Sequence, residues 1–367
     1  MGDGLEFRFN SLAVLPVPAP ESAPLPWGIR IMPGARLNVG PWFLDFRGES
    51  GIAFNGQTPI QANYFFTQPV GALSDEAPVS AYVYRPGSSE DPLRFNIGIH
   101  GFSTGFRFAR DFQIRFGRHR YDQPEYQQLL IAHSYSAQVN YANVTIPLDW
   151  LGGEFRYDRR RPEEPVRQLL FSLGGLNGAD GTALGMAQGL ITLAFAEGRE
   201  APRLTLTGYA SLRSNPQPET GPIPDPGITH GEGFAATFDY GIFTGGAGFA
   251  HRYGSSHNTL ELEATDERHV GTLLADFHPG DWRFRGVVSF LGRASARDAA
   301  VTPAVAATET HTEFSVGYSP VQGLTFSLGY RGAYGEDGGA PGRDLSTHMG
   351  FLGMATNFQG EVPFSGN

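Results

Sequence analysis

The chain has no cysteine. Disulfides and thiolate metal sites are therefore excluded, and the absence suits a protein that must cross an oxidising compartment. Lysine is absent too, so all 27 residues in the Lys-plus-Arg count are arginine. With abundant glycine and proline, this bias accords with a GC-rich genome and carries little functional information. No run of 18 or more apolar residues occurs, which excludes a membrane-spanning helix. Residues 1–9 lack a basic segment followed by a long apolar one, so secretion would require a leader already removed. No HExxH or Gly-x-Ser-x-Gly pattern is present, and no zinc site, cofactor site or catalytic centre is expected. The formal charge of −10 argues against nucleic acid as a partner.

What the chain does have is alternation. In Phe106–Phe116 the residues Phe106, Phe108, Phe112, Ile114 and Phe116 share one parity. Arg107, Asp111, Gln113 and Arg115 share the other, and Arg110 alone breaks the pattern. Side chains of a strand point alternately to its two faces, so one face is aromatic and the other charged. A soluble sandwich would bury the aromatic face; an outer-membrane barrel would turn it to lipid and the charges to a watery lumen. The same rhythm recurs in Leu93–His100, Leu204–Arg213, Phe234–Phe243, Asp281–Phe290 and Leu324–Arg331. No segment holds a period of 3.6 over a dozen residues. The chain is all-β.

The connections favour the barrel. In the C-terminal half, short turns at 244–245, 278–280 and 319–323 alternate with long polar loops at 214–232, 294–310 and 335–347. Outer-membrane barrels combine tight periplasmic turns with long extracellular loops. Counting back from the C-terminus places about 16 strands between 27 and 358. They include 27–39, 42–54, 78–85, 93–102, 105–118 and 151–158. Residues 1–26 read as a separate Pro-rich extension, because prolines interrupt 16–26 and cannot donate ladder hydrogen bonds. Residues 359–367 read as a tail. The segment 119–150 is long and contains a mildly helical stretch, Pro124–His133. Structured loops of this length are usually functional, and folding into the lumen is the obvious use; two further strands are the alternative.

Locally, Gln113-Ile-Arg-Phe-Gly-Arg118, Gly153-Glu-Phe-Arg-Tyr-Asp158, Leu169–Leu173, Pro320–Tyr330 and Met349–Phe358 resemble strands of the general diffusion porins of Gram-negative outer membranes. The likeness spans most of 27–358. It implies a transmembrane antiparallel barrel with an inward-folded constriction loop, a homotrimer, and contact with outer-membrane lipid and lipopolysaccharide. It also implies a transverse field at the constriction, with acids on the loop facing bases on the wall. The loop supplies Asp122, Glu125 and Asp149; lumen parity on the early strands supplies Arg36, Arg47, Arg94, Arg107 and Arg115. Phe358 closes the last strand pattern where porins usually end on phenylalanine, yet the chain runs on to Asn367.

Other clusters have plainer readings. Arg159-Arg160-Arg161 with Glu163 and Glu164 reads as a solvated periplasmic turn, and Glu261, Glu263, Asp266 and Glu267 as an acidic loop without a calcium-ligand pattern. The expected function is passive diffusion of small hydrophilic solutes and ions. Net negative charge hints at cation preference, although charge on the lumen wall matters more than the total. A barrel with a closed lumen, a porin selective for sugars or anions, and a soluble all-β binding protein are the rival readings.

Overall fold

A computed structural model of the protein describes residues 3–17, 27–54, 93–109, 111–120, 149–158, 165–177, 183–198, 201–214, 228–257, 263–297, 305–337 and 347–364. Among these, alternating segments form sixteen strands in chain order. They are β1 (Gly4–Val17), β2 (Trp27–Val39), β3 (Trp42–Phe54), β4 (Leu93–Ala109), β5 (Phe112–Arg120), β6 (Asp149–Asp158), β7 (Val166–Asn177) and β8 (Ala183–Ala194). The second half comprises β9 (Arg203–Ser214), β10 (Ile228–Tyr240), β11 (Phe243–His257), β12 (Glu263–Phe277), β13 (Trp282–Arg297), β14 (Val305–Val321), β15 (Leu324–Asp337) and β16 (Thr347–Pro363). Each strand pairs antiparallel with its sequence neighbour, and β1 pairs with β16, so the sheet closes on itself.

Polarity is inverted relative to a soluble protein. Phe7, Trp42, Phe102, Phe116, Phe171, Phe234, Phe249, Leu273, Phe290 and Phe314 are exposed on the outer wall, whereas Asp45, Arg115, Glu154, Gln188, Thr237, Asp276 and Arg285 are buried on the inner one. Outward aromatics cluster near the short-turn end, where Trp42 meets Phe106 at 4.9 Å and Trp282 meets Tyr318 at 4.8 Å between ring centroids. An apolar band with aromatic girdles over a polar interior is the pattern of a membrane barrel. Sixteen strands enclose a lumen too wide for wall side chains alone to fill.

Among the described residues the tight turns lie at one end of the barrel, together with Gly4 of β1 and Pro363 of β16. Gly40 and Gly241 open two-residue turns at φ 56° and 58°, a left-handed conformation that glycine adopts without a Cβ penalty. The connections at the other end, which include 55–92, 121–148 and 215–227, fall largely outside the described residues.

Five expectations change. The short turn expected at 244–245 lies at 241–242, where Gly241 takes the left-handed conformation, so Phe234–Phe243 does not form one strand: β10 ends at Tyr240 and Phe243 opens β11. Residues 1–26 are not an extension throughout, because β1 runs antiparallel to β16 from Gly4 opposite Pro363 to Val17 opposite Gly350. Pro16 is tolerated because, among the described residues, it pairs only with Phe351 of β16, the pairing with β2 ending at Val14. Residues 359–363 are likewise no tail but the end of β16, opposite Gly4–Arg8. The segment Phe106–Phe116 is no single strand; it turns between Ala109 and Phe112. Phe106 pairs with Ile114 across this hairpin, and a register shift between Arg107 and Ala109 absorbs the odd residue, so parity carries across the turn. Finally, 93–102 and 105–118 do not divide at 103–104. His100 is skipped where Arg47 pairs with Gly101 and Gly48 with Ile99, a bulge that lies within one continuous β4. The expected strand 78–85 lies outside the described residues.

Candidate pore wall

The inner wall of β1–β6 follows from period-2 alternation. On β2, Arg36 and Asn38 alternate with outward Leu37 and Val39; on β3, Phe43, Asp45 and Arg47 alternate with outward Trp42, Leu44 and Phe46. Arg107 on β4 and Arg115 on β5 have the same parity. Four of the five expected arginines, Arg36, Arg47, Arg107 and Arg115, therefore face the lumen on consecutive strands. Arg94 occupies a β4 position opposite Ala53, and Asp149 opens β6 opposite Arg120. The side chains of Arg94 and Asp149, and the whole of Asp122 and Glu125, lie outside the described residues.

The arginines are ordered by three kinds of contact. Arg115 donates from Nη2 to Glu154 Oε2 at 2.8 Å, and its Nε stands 2.8 Å from Oε1. Arg156 lies 3.9 Å from the same carboxylate. Arg47 and Asp45 stand 3.7 Å apart. Arg36 instead stacks on Phe43, with its guanidinium carbon 3.9 Å from the ring centroid, and Arg107 approaches that ring at 5.4 Å. Arg36 Nη2 also donates to the neutral Gln113 Oε1 at 3.4 Å. A guanidinium over an aromatic face is attracted by the ring quadrupole. Phe43 fits inside because Gly105 faces it; a Cβ there would collide with the ring.

A second charged group lies on β12–β13. Asp276 is buried and receives Arg283 through Nε at 2.9 Å and Nη2 at 2.6 Å, with His278 at 3.1 Å and Arg285 at 3.8 Å. Between the two groups, the buried inner-wall positions of β7–β10 are neutral, with Ser172, Gln188, Thr205, Thr207 and Thr237 beside Leu170, Met186, Leu190, Tyr209 and Ala235, while the charged Arg203, Asp239 and Arg252 share inner parity on β9–β11.

Sequence reasoning passed over Asp45, Glu154 and Arg156, although each alternates with an outward aromatic or leucine and was legible by parity. Phe43 was not legible, since an aromatic at lumen parity looks like a wall misfit until its arginine neighbours are known. The supposed acidic loop changes character: Glu263, Asp266 and Glu267 belong to β12, where consecutive positions face opposite ways. Residues 159–164 lie outside the described residues. Among the described residues, no group of three or more His, Asp or Glu is arranged to hold a metal ion.

No protein-family model matches the chain, and no curated protein matches its sequence. Solved structures match over nearly the whole barrel. OmpT, an outer-membrane protein of Vibrio cholerae in a trimer form, aligns at 9% identity and a TM-score of 0.51, covering 97% of this chain and 98% of that one. The outer-membrane channel DcaP of Acinetobacter baumannii aligns at 12% identity and 0.50, covering 97% and 96%. OprB of Pseudomonas putida aligns at 11% identity and 0.50, covering 97% and 94%. The fold is a closed sixteen-strand antiparallel barrel of the kind found in Gram-negative outer-membrane channels.

Proposed function

We propose that the protein is an outer-membrane channel through which small hydrophilic solutes diffuse passively. One observation carries this reading: the closed sheet exposes aromatic and aliphatic side chains outward and gathers arginine, carboxylate, amide and hydroxyl groups inward. Closure leaves no unpaired sheet edge in lipid, so the sheet meets the requirement for spanning a bilayer. The polar wall gives permeant ions partners that replace part of their hydration. Such a channel works by steric exclusion and electrostatic bias, without covalent chemistry. Localisation in an outer membrane and assembly as a homotrimer belong to the same reading.

Purified protein reconstituted in planar bilayers tests it. Stable, resolvable open steps are expected, and their consistent absence would sink the channel reading. A closed-lumen anchoring barrel is the second reading. It draws on the burial of Met186, Leu190, Ala235, Ala250 and Val270 on the inner wall, none more than 5% exposed. The same recording separates the two.

A further inference from the structure

The sheet closes where β1 meets β16, and the lumen face of that seam carries both signs of charge. Glu6 on β1 is directly opposite Glu361 on β16. Arg8, two residues along the same face, is opposite Gln359. On the other side of β1 the first row continues through Arg36 to Asp45, and the second through Gly34 to Arg47. At the seam itself, Glu6, Phe7, Arg8, Gln359, Gly360 and Glu361 border a cleft of about 240 Å³.

The charges of the cleft are unequally engaged. Glu6 accepts the Asn38 amide at 2.8 Å and lies opposite Arg36. Among the described residues, Glu361 and Arg8 make no hydrogen bond or ion pair, and both are exposed to the lumen. Gly4 leaves room beside Glu361, since a Cβ built there would stand 3.7 Å from its Oε1. Like charges directly opposite on a sheet repel, so Glu6 and Glu361 favour a bridging cationic group. Two residues away, Arg8 favours a carboxylate, whose two oxygens fit the parallel donors of a guanidinium. A simple cation would face Arg8 across the cleft, and a simple anion would face two carboxylates. A ligand carrying both signs meets neither penalty. Same-face neighbours on a strand stand about 7 Å apart. Two charge-assisted contacts of about 2.8 Å use most of that span, so the ligand's own charges must lie close together.

We propose that this cleft is a subsite for the zwitterionic head of α-amino acids. The ammonium donates to Glu361 and Glu6, and the carboxylate accepts from Arg8 and the Gln359 amide. The subsite adds a ligand class to the channel reading. Its part in permeation rests on that reading, whereas binding to the folded barrel does not.

The test measures binding to the full-length barrel in detergent by saturation-transfer NMR. The probes are L-alanine, L-alanine methyl ester, propionate and ε-aminocaproate. L-Alanine should bind saturably. The ester and propionate each lack one charge and should bind at least about tenfold more weakly, as loss of one charge-assisted contact implies. ε-Aminocaproate, with its charges further apart, should also bind more weakly. Glu361→Gln and Arg8→Gln should each weaken L-alanine binding by a similar factor, with heat-dependent gel mobility confirming that each variant is a folded barrel. Should either variant fail to fold, the ester and propionate decide on the unaltered protein. The proposal is overturned by unsaturable L-alanine binding, by any of the other three probes binding as tightly as L-alanine, or by undiminished binding in either folded variant. Planar-bilayer recording of the same preparation keeps the two readings apart. A barrel that conducts but does not bind L-alanine ends the subsite and leaves the channel. A barrel that binds in the expected pattern but shows no open steps keeps the subsite and ends the channel reading.

Discussion

Arg115 on β5 and Glu154 on β6 meet at 2.8 Å on the inner wall, with side chains only 10% and 2% exposed. Two charges held this far from water depend on each other. Replacing one strands the other in a poorly solvated place, which typically costs about 3–5 kcal/mol. Glu154→Ala should therefore lower the free energy of barrel unfolding, read from urea titration, by an amount in that range, allowing for the partner Arg156 nearby. The double variant Arg115→Met, Glu154→Met should recover most of the loss. If the double variant is as unstable as the single, the pair acts through packing rather than charge.

Phe43 and Gly105 form a size-complementary pair inside the lumen. Gly105→Val forces the ring off its seat, and Phe43→Ala removes the surface on which Arg36 and Arg107 rest. Phe43 is only 3% exposed, so its truncation should cost about 3 kcal/mol. The released guanidiniums should also raise open-channel current noise. Unfolding curves and single-channel recordings read the two effects separately. Quiet channels in Phe43→Ala would show that the ring does not order the arginines.

The two faces of the wall should respond oppositely to the same side chain. Phe249 is 55% exposed on the outer wall, well inside the apolar belt. Arginine there faces hydrocarbon, so Phe249→Arg should cost about 2–4 kcal/mol. Gln359 faces the lumen near the short-turn end, opposite Arg8, and Gln359→Arg should cost less than about 1 kcal/mol, from the like charge across the strand pair. Unfolding from lipid vesicles measures both, and equal penalties would contradict the assignment of faces.

β1 closes the barrel, so removing residues 3–17 should leave β2 and β16 as open edges. Unpaired edges cannot be satisfied in lipid. The truncated chain is expected to show no heat-modifiable folded band and no conductance. A truncated chain that inserts and conducts like the intact one would mean that the barrel closes without β1.

Much of the wall was legible because alternation is local. Arg36, Arg47, Arg107 and Arg115 could be assigned to the lumen from their immediate neighbours alone, and so could Asp45, Glu154 and Arg156. The bounds of β2 and β3 likewise follow from aromatic alternation between a Pro-rich stretch and the Gly40-Pro41 turn. Harder to read were positions where pairing partners distant in sequence decide the outcome. The proline run after Leu15 suggested an extension, yet among the described residues Pro16 pairs only with β16. The break expected at 103–104 arose because a bulge and a chain break both interrupt parity.

By itself the sequence determined that the strands are two-faced and that tight turns alternate with long connections, because side-chain parity and turn chemistry act over a few residues. Only the tertiary structure decided that β1 closes the sheet, that Phe106–Phe116 folds into a hairpin, and that Arg8, Arg36, Arg47 and Arg107 share one place. Register between strands sets those contacts. Register depends on the joint fit of two chains of side chains and on bulges that shift it by one residue, and neither is written in a single strand.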